Sequence, residues 1–162
     1  MKKITIYWVL GIFTLSSFSV LCLPFTQRFF SDPEIISNQH LPLSAIVTTV
    51  NHTNINVRIA DTVDTRTLGL SFFKELPDKQ GMLFVFPTND QYAFWMKDMF
   101  MNVDIIWINE DFTIIHRVIN ASPDTYPQTY EPISSSRYVL EIPANTADKY
   151  GLFLGEQVGI RK

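Results

Sequence analysis

GMLFVFPTNDQYAFWMKDMFMNVDIIWIN, residues Gly81 to Asn109, gathers a large share of the chain's bulky apolar side chains and sets Lys97, Asp98 and Asp104 among them. Met82 to Phe86 is an uninterrupted apolar run that Pro87 ends, the pattern of a strand buried on both faces. Thr88-Asn89-Asp90 turns the chain, and Tyr92 to Lys97 reads as the next strand. From Asn102 to Asn109, Val103, Ile105 and Trp107 alternate with Asn102, Asp104, Ile106 and Ile108, so Asp104 shares a strand face with two isoleucines. A charge in such surroundings must be paired, hydrogen-bonded or set in a wetted pocket, because isolated burial costs several kcal/mol.

Working outward, Ile46–Val50 and Ile55–Ile59 are β-branched, and Asn51 to Asn54 supplies a turn, so the pair predicts a hairpin. Thr62 is suited to cap a short helix carrying Arg66, Leu68 and Phe72, and Leu76 to Gly81 is loop chemistry. After the central stretch, Thr113–Ile119 returns as a strand, and Asn120–Ser136, with Pro123, Pro127 and Pro132, predicts a long irregular loop. Arg137–Ile142 is a strand, Ala144–Tyr150 a short helix capped by Asn145 or Thr146 and ended by Gly151, and Gln157–Ile160 a last strand. The sum is a mainly β fold: a single compact antiparallel sandwich or barrel-like domain of about eight short strands with two short helices.

Met1-Lys2-Lys3 precedes twenty uncharged, mostly apolar residues, Ile4 to Leu23, the composition of an export signal and long enough for a membrane anchor. Ser17 and Ser19 fit cleavage after Ser19 only without an A-x-A pattern, and Leu21 stands where a small residue precedes a lipidated cysteine such as Cys22. Residues 1–23 are therefore an export signal or anchor, 24–45 a proline-bearing tether and 46–162 the β domain, placed outside the cytoplasm in the periplasm or at the cell surface.

A formal net charge of -3 and the lack of a Lys/Arg run after residue 3 argue against a nucleic-acid partner. One cysteine excludes an intramolecular disulfide and a multi-cysteine metal site. His40, His52 and His116 have no neighbouring His or Cys at zinc-ligand spacing, and Met82, Met96, Met99 and Met101 read as core sooner than as a Cu(I) site. No G-x-S-x-G elbow, phosphate loop or G-x-G-x-x-G is present, and no cofactor is expected.

The blocks Thr65-Arg66-Thr67-Leu68-Gly69-Leu70, Gly81-Met82-Leu83-Phe84-Val85-Phe86, Phe94-Trp95-Met96-Lys97, Val103-Asp104-Ile105-Ile106 and Tyr138-Val139-Leu140-Glu141 resemble, in order and spacing, the family called domain of unknown function 192. The resemblance covers residues 55 to 160 and implies a compact, mostly β, usually exported domain without an established activity. Asp98-Met99 stand where the family has Asn-Thr, Asn102 replaces a proline, Ser71 a methionine and Asn145 a glycine.

The candidate ligand-binding residues are Arg66, Trp95, Lys97, Asp98, Asp104 and Glu141. They suit a membrane-tethered binding or accessory domain with a shallow polar–aromatic site for a ligand or envelope partner. The alternative is a hydrolase acting on envelope glycan or peptide, using Asp104 or Glu141 with Lys97, which requires two titratable groups within reach of one substrate atom.

Overall fold

The computed structural model describes residues 40–162, so the predicted export segment and most of the tether lie outside the described residues. Nine strands and two short helices follow one another: β1 (Leu43–Thr48), β2 (Asn54–Ala60), α1 (Val63–Leu68), β3 (Gln80–Asp90), β4 (Phe94–Trp95), β5 (Val103–Ile108), β6 (Ile114–Ala121), β7 (Thr129–Tyr130), β8 (Ser136–Pro143), α2 (Ala147–Tyr150) and β9 (Gly159–Arg161). Among the described residues, no helix is long and apolar enough to cross a membrane.

Seven strands form one sheet in the order β6-β5-β8-β3-β2-β1-β9, while β4 and β7 pair separately. All pairings are antiparallel except β2 with β3, which run parallel, so the sheet is mixed. The parallel pair needs a crossover, and α1 with the loop that follows it supplies one. The two edges of the sheet are joined by the last segment of the chain. The amides of Gly155 and Ile114 bond the carbonyls of Ile114 and Glu156, respectively, and Val158 donates to the Phe112 carbonyl. From the next residue on, β9 pairs with β1, which gives the sheet a nearly closed, barrel-like course.

The two faces of the sheet carry separate hydrophobic clusters. Val47, Ile55, Val57, Leu83, Ile106, Ile108, Leu140 and Ile142 pack with Ala147, Tyr150 and Leu152 from the α2 region. On the other face Met82, Phe84, Ile105, Trp107 and Val139 are covered by Leu70, Phe73 and Leu76 from the crossover and by Phe94, Met96 and Met99 from the arm after β3. The alternation expected for residues 102–109 is reproduced, since Ile106 and Ile108 enter one cluster and Val103, Ile105 and Trp107 the other. Met82, Met96 and Met99 are core residues of the second cluster.

Several elements differ from the sequence reading for identifiable reasons. β1 begins at Leu43 and pairs it with Arg58, so the β domain starts three residues before Ile46. β3 does not stop at Pro87 but runs to Asp90; the proline, which has no amide to donate, falls where the pairing with β8 loses register between Val85 and Asp90. The predicted strand at Tyr92–Lys97 shrinks to Phe94–Trp95, and the proline-bearing loop supplies its partner, β7. Gly81 lies so close to β8 that an added Cβ would meet the Glu141 carbonyl at 2.6 Å, so only glycine fits at the start of the central stretch.

Candidate functional site

Asp104 sits on β5 with 0% exposure. Its Oδ1 accepts from the amides of Asn120 and Asn145, at 2.8 and 2.9 Å, and its Oδ2 from those of Thr146 and Ala147, both at 2.9 Å. Four backbone donors thus saturate the carboxylate, three of them at the entry to α2. The helix is capped from a strand some forty residues away: Thr146, expected to cap it, makes no side-chain cap bond and turns its hydroxyl to the Pro143 carbonyl. Asn145 has φ 62, a left-handed conformation that asparagine tolerates better than most residues. That turn is what presents successive amides to one carboxylate.

Glu141, on β8, is 4% exposed but otherwise the opposite case. The pairings Asp104↔Ile142 and Ile105↔Glu141 place the two acids on opposite faces of the sheet. Glu141 lies between Ile105 and Met82 in the second cluster's face, and its buried Oε2 has no hydrogen-bond partner among the described residues. Burial pushes this carboxyl up to about 8, so it is held protonated at neutral pH.

Trp95 is 49% exposed on β4, and Lys97 and Asp98 are exposed in the loop after it. What this loop contributes is backbone: the Lys97 carbonyl accepts from the Ser71 hydroxyl and the Asp98 carbonyl from the Phe72 amide. Asp98 has φ 57, a conformation that Asn and Asp both tolerate, which gives the polar residue at this position a conformational reason. Lys97 is therefore at the surface and Asp104 fully buried, and neither buried acid has the other on its face. The hydrolase arrangement inferred from the sequence, Asp104 or Glu141 acting with Lys97, would need buried acids to work with an exposed lysine.

Arg66 lies in a depression with other polar groups. Thr62 caps α1 through a reciprocal capping box with Thr65, as its position predicts. The helix then delivers the Arg66 guanidinium to the carbonyls of Asp61 and Val85, at 2.5 and 2.9 Å, and over the Phe86 ring, 5.2 Å from its centroid. Phe86 in turn stacks on Tyr92 with ring centroids 3.5 Å apart. Arg137 completes an open cleft of about 430 Å³ around Arg66 and Phe86. A second open depression, of about 400 Å³, holds Arg58, Phe73 and Lys74; Arg58 lies over the Phe73 ring at 5.5 Å, and its partial burial depresses its pKa.

The six sequence candidates are thus dispersed: Arg66 in the cleft, Trp95, Lys97 and Asp98 on an exposed arm, Asp104 under α2 and Glu141 inside the second cluster. Phe86 and Arg137 escaped the reading because they belong to β3 and β8, whose pairing joins residues far apart in sequence. The available signal was alternation alone: Arg137 lies two and four residues before Val139 and Glu141, on their face. Among the described residues, no three His, Cys, Asp or Glu side chains gather to hold a metal ion.

Crystal structures that resemble this fold include two of family-sized domains. One is a protein of unknown function from Novosphingobium aromaticivorans, 28% identical with a TM-score of 0.66, covering 71% of this chain and 82% of its own. The other, from Sinorhizobium meliloti and proposed as a transcription regulator, is 26% identical with a TM-score of 0.66 and covers 71% and 90%. No curated protein matches the chain. The sequence model of domain of unknown function 192, described as an uncharacterised ACR, matches residues 45–160, and the chain is a member of that family.

Proposed function

We propose that this chain is an extracytoplasmic, membrane-tethered binding or accessory module that engages a ligand or envelope partner through a shallow polar–aromatic surface. One observation carries the reading: arginine side chains lie across aromatic rings in open depressions, Arg66 on Phe86 and Arg58 on Phe73, while the two buried acids face opposite ways. Open depressions with cation–aromatic walls suit recognition, whereas hydrolysis by a carboxylate needs a second titratable group at the same substrate atom. The apolar segment Ile4–Leu23 behind Lys2 and Lys3 supports the tether and its orientation. The transcription-regulator role proposed for the Sinorhizobium protein is not carried over, because a net charge of -3 does not favour a polyanionic partner.

A thermal-shift screen of the purified full-length chain against envelope sugars, peptides and small organic acids tests the binding reading. A ligand at one hundred times its dissociation constant raises stability by roughly 2.7 kcal/mol, a readily measured shift. Turnover of a glycan or peptide substrate, abolished by Glu141→Gln, would refute it. Protease added to spheroplasts tests the location: the β domain should be digested while the membrane remains intact.

A further inference from the structure

The cleft between α1 and the β3–β8 pair contains two guanidiniums, and neither is ion-paired to a carboxylate among the described residues, where the ion pairs are Arg117–Asp148 and Lys149–Asp78. Arg66 is fixed by two carbonyls through a single nitrogen, Nη1, which leaves the rest of its planar fork uncommitted. Arg137 is half-buried, and its Nε is buried without a hydrogen-bond partner. No side-chain nitrogen of Arg137 bonds an acceptor among the described residues, so the part of its guanidinium that lines the cleft is free to take one from a ligand.

The walls between the two arginines are apolar: Val63, Val85, Phe86 and Pro87. Asp61 also lines the cleft, beside Thr62. Two arginines and one aspartate leave a lining charge of about +1, which matches a monoanion better than a dianion such as phosphate. The other depression is less suited to this chemistry. Its Arg58, whose Nε is also buried without a partner, donates through Nη1 to Gln80 Oε1 at 3.4 Å and has no second arginine beside it, and the adjacent Lys74 and Glu75 offset one another.

We propose that the Arg66–Phe86–Arg137 cleft binds a carboxylate carried on an apolar or aromatic body. The carboxylate bridges the free edges of the two guanidiniums, and the body lies against Phe86, Val85 and Pro87. This assignment rests on the binding-module reading and gives it a ligand class and a second binding residue, Arg137.

Phenylacetate is a suitable probe, titrated into the full-length chain and followed by chemical-shift changes and by melting temperature. Binding should weaken as salt is raised and should be much weaker for phenylacetamide, which lacks the charge, and for inorganic phosphate, which lacks the body. Arg137→Gln should weaken binding by about tenfold or more, the loss of one charge-assisted contact, in a protein that still melts cooperatively. Arg137→Lys, which keeps the charge without the fork, should restore only part of the affinity. Equal binding of phenylacetate by the parent and Arg137→Gln would overturn the assignment, as would phosphate or the amide matching phenylacetate. Failure of phenylacetate to bind a parent that the broader screen shows to bind something else would sink this inference alone and leave the binding module standing.

Discussion

Asp104 and Glu141 lie in neighbouring strands, one residue out of step, and each is an acid embedded in an apolar run. The fold treats them in opposite ways. Asp104 meets four backbone amides and works as an anionic hub that holds the entry to α2 and the end of β6 to β5. Glu141 meets Met82 and Ile105, keeps an oxygen without a donor and is held neutral. The local pattern is nearly the same, so the distinction comes from whether a distant loop brings donors to that face. Buried acids are not one class of feature: one kind organises backbone, the other stores a desolvation cost.

Removing the hub tests this contrast most severely. Asp104→Ala should destabilise the domain by about 3 to 5 kcal/mol, because four buried amides lose their acceptor together. Urea unfolding measures the loss, and a change below about 1 kcal/mol would mean that water replaces the carboxylate and that the hub is not structural.

Glu141 should show its cost through pH. Its folded value near 8 lies above the ordinary 4.5, so between those values the folded chain retains a proton that the unfolded chain has lost. This contribution to stability is fully present below about 4.5 and is lost as pH rises toward 8. The slope is about 1.4 kcal/mol per pH unit, on the order of 3 kcal/mol by neutral pH. Glu141→Gln, neutral at every pH, should remove that slope and raise stability most at alkaline pH. Parallel curves for parent and variant from acid to alkaline pH would show that Glu141 ionises in a solvated or paired state.

The same contrast marks how far the sequence could be read. Strand alternation around Asp104, the capping threonine at 62 and the terminating Gly151 are local signals, and the structure reproduces them. The parallel β2–β3 pair, the cap that Asp104 gives to α2 and the approach of Arg137 to Phe86 all depend on which strands become neighbours. No window of sequence contains that information. Charge in an apolar run singled out Lys97, Asp98 and Asp104, with Arg66 and Glu141 as further polar candidates, but it could not show that Lys97 and Asp98 face solvent or that the two buried acids look away from one another.

A subtler change asks whether the hub depends on charge or only on shape. Asp104→Asn keeps one oxygen to accept two amides but turns an amino group toward the other two. It should cost about 2 kcal/mol, less than Asp104→Ala. A cost equal to that of the alanine variant would show that one remaining acceptor oxygen does not hold the hub and that both carboxylate oxygens are needed.

The smallest expected effect concerns the turn that feeds the hub. Asn145 contributes its amide to Asp104 at 2.9 Å, while its side chain makes only a long contact of 3.4 Å with Asn120 Oδ1 at the surface. Because its φ is 62, glycine can take the same conformation without steric cost, although it adds freedom to the unfolded chain. Those terms oppose one another, so Asn145→Gly should change stability by no more than about 0.5 kcal/mol. Asn145→Ala keeps the amide but pays the left-handed strain, and should cost about 1 kcal/mol. If the side chain were part of the hub, both variants would lose comparable stability. Glycine close to the parent with alanine clearly below it, in the same thermal melts, would assign the position to backbone conformation and leave the carboxylate of Asp104 as the group that gathers this corner of the fold.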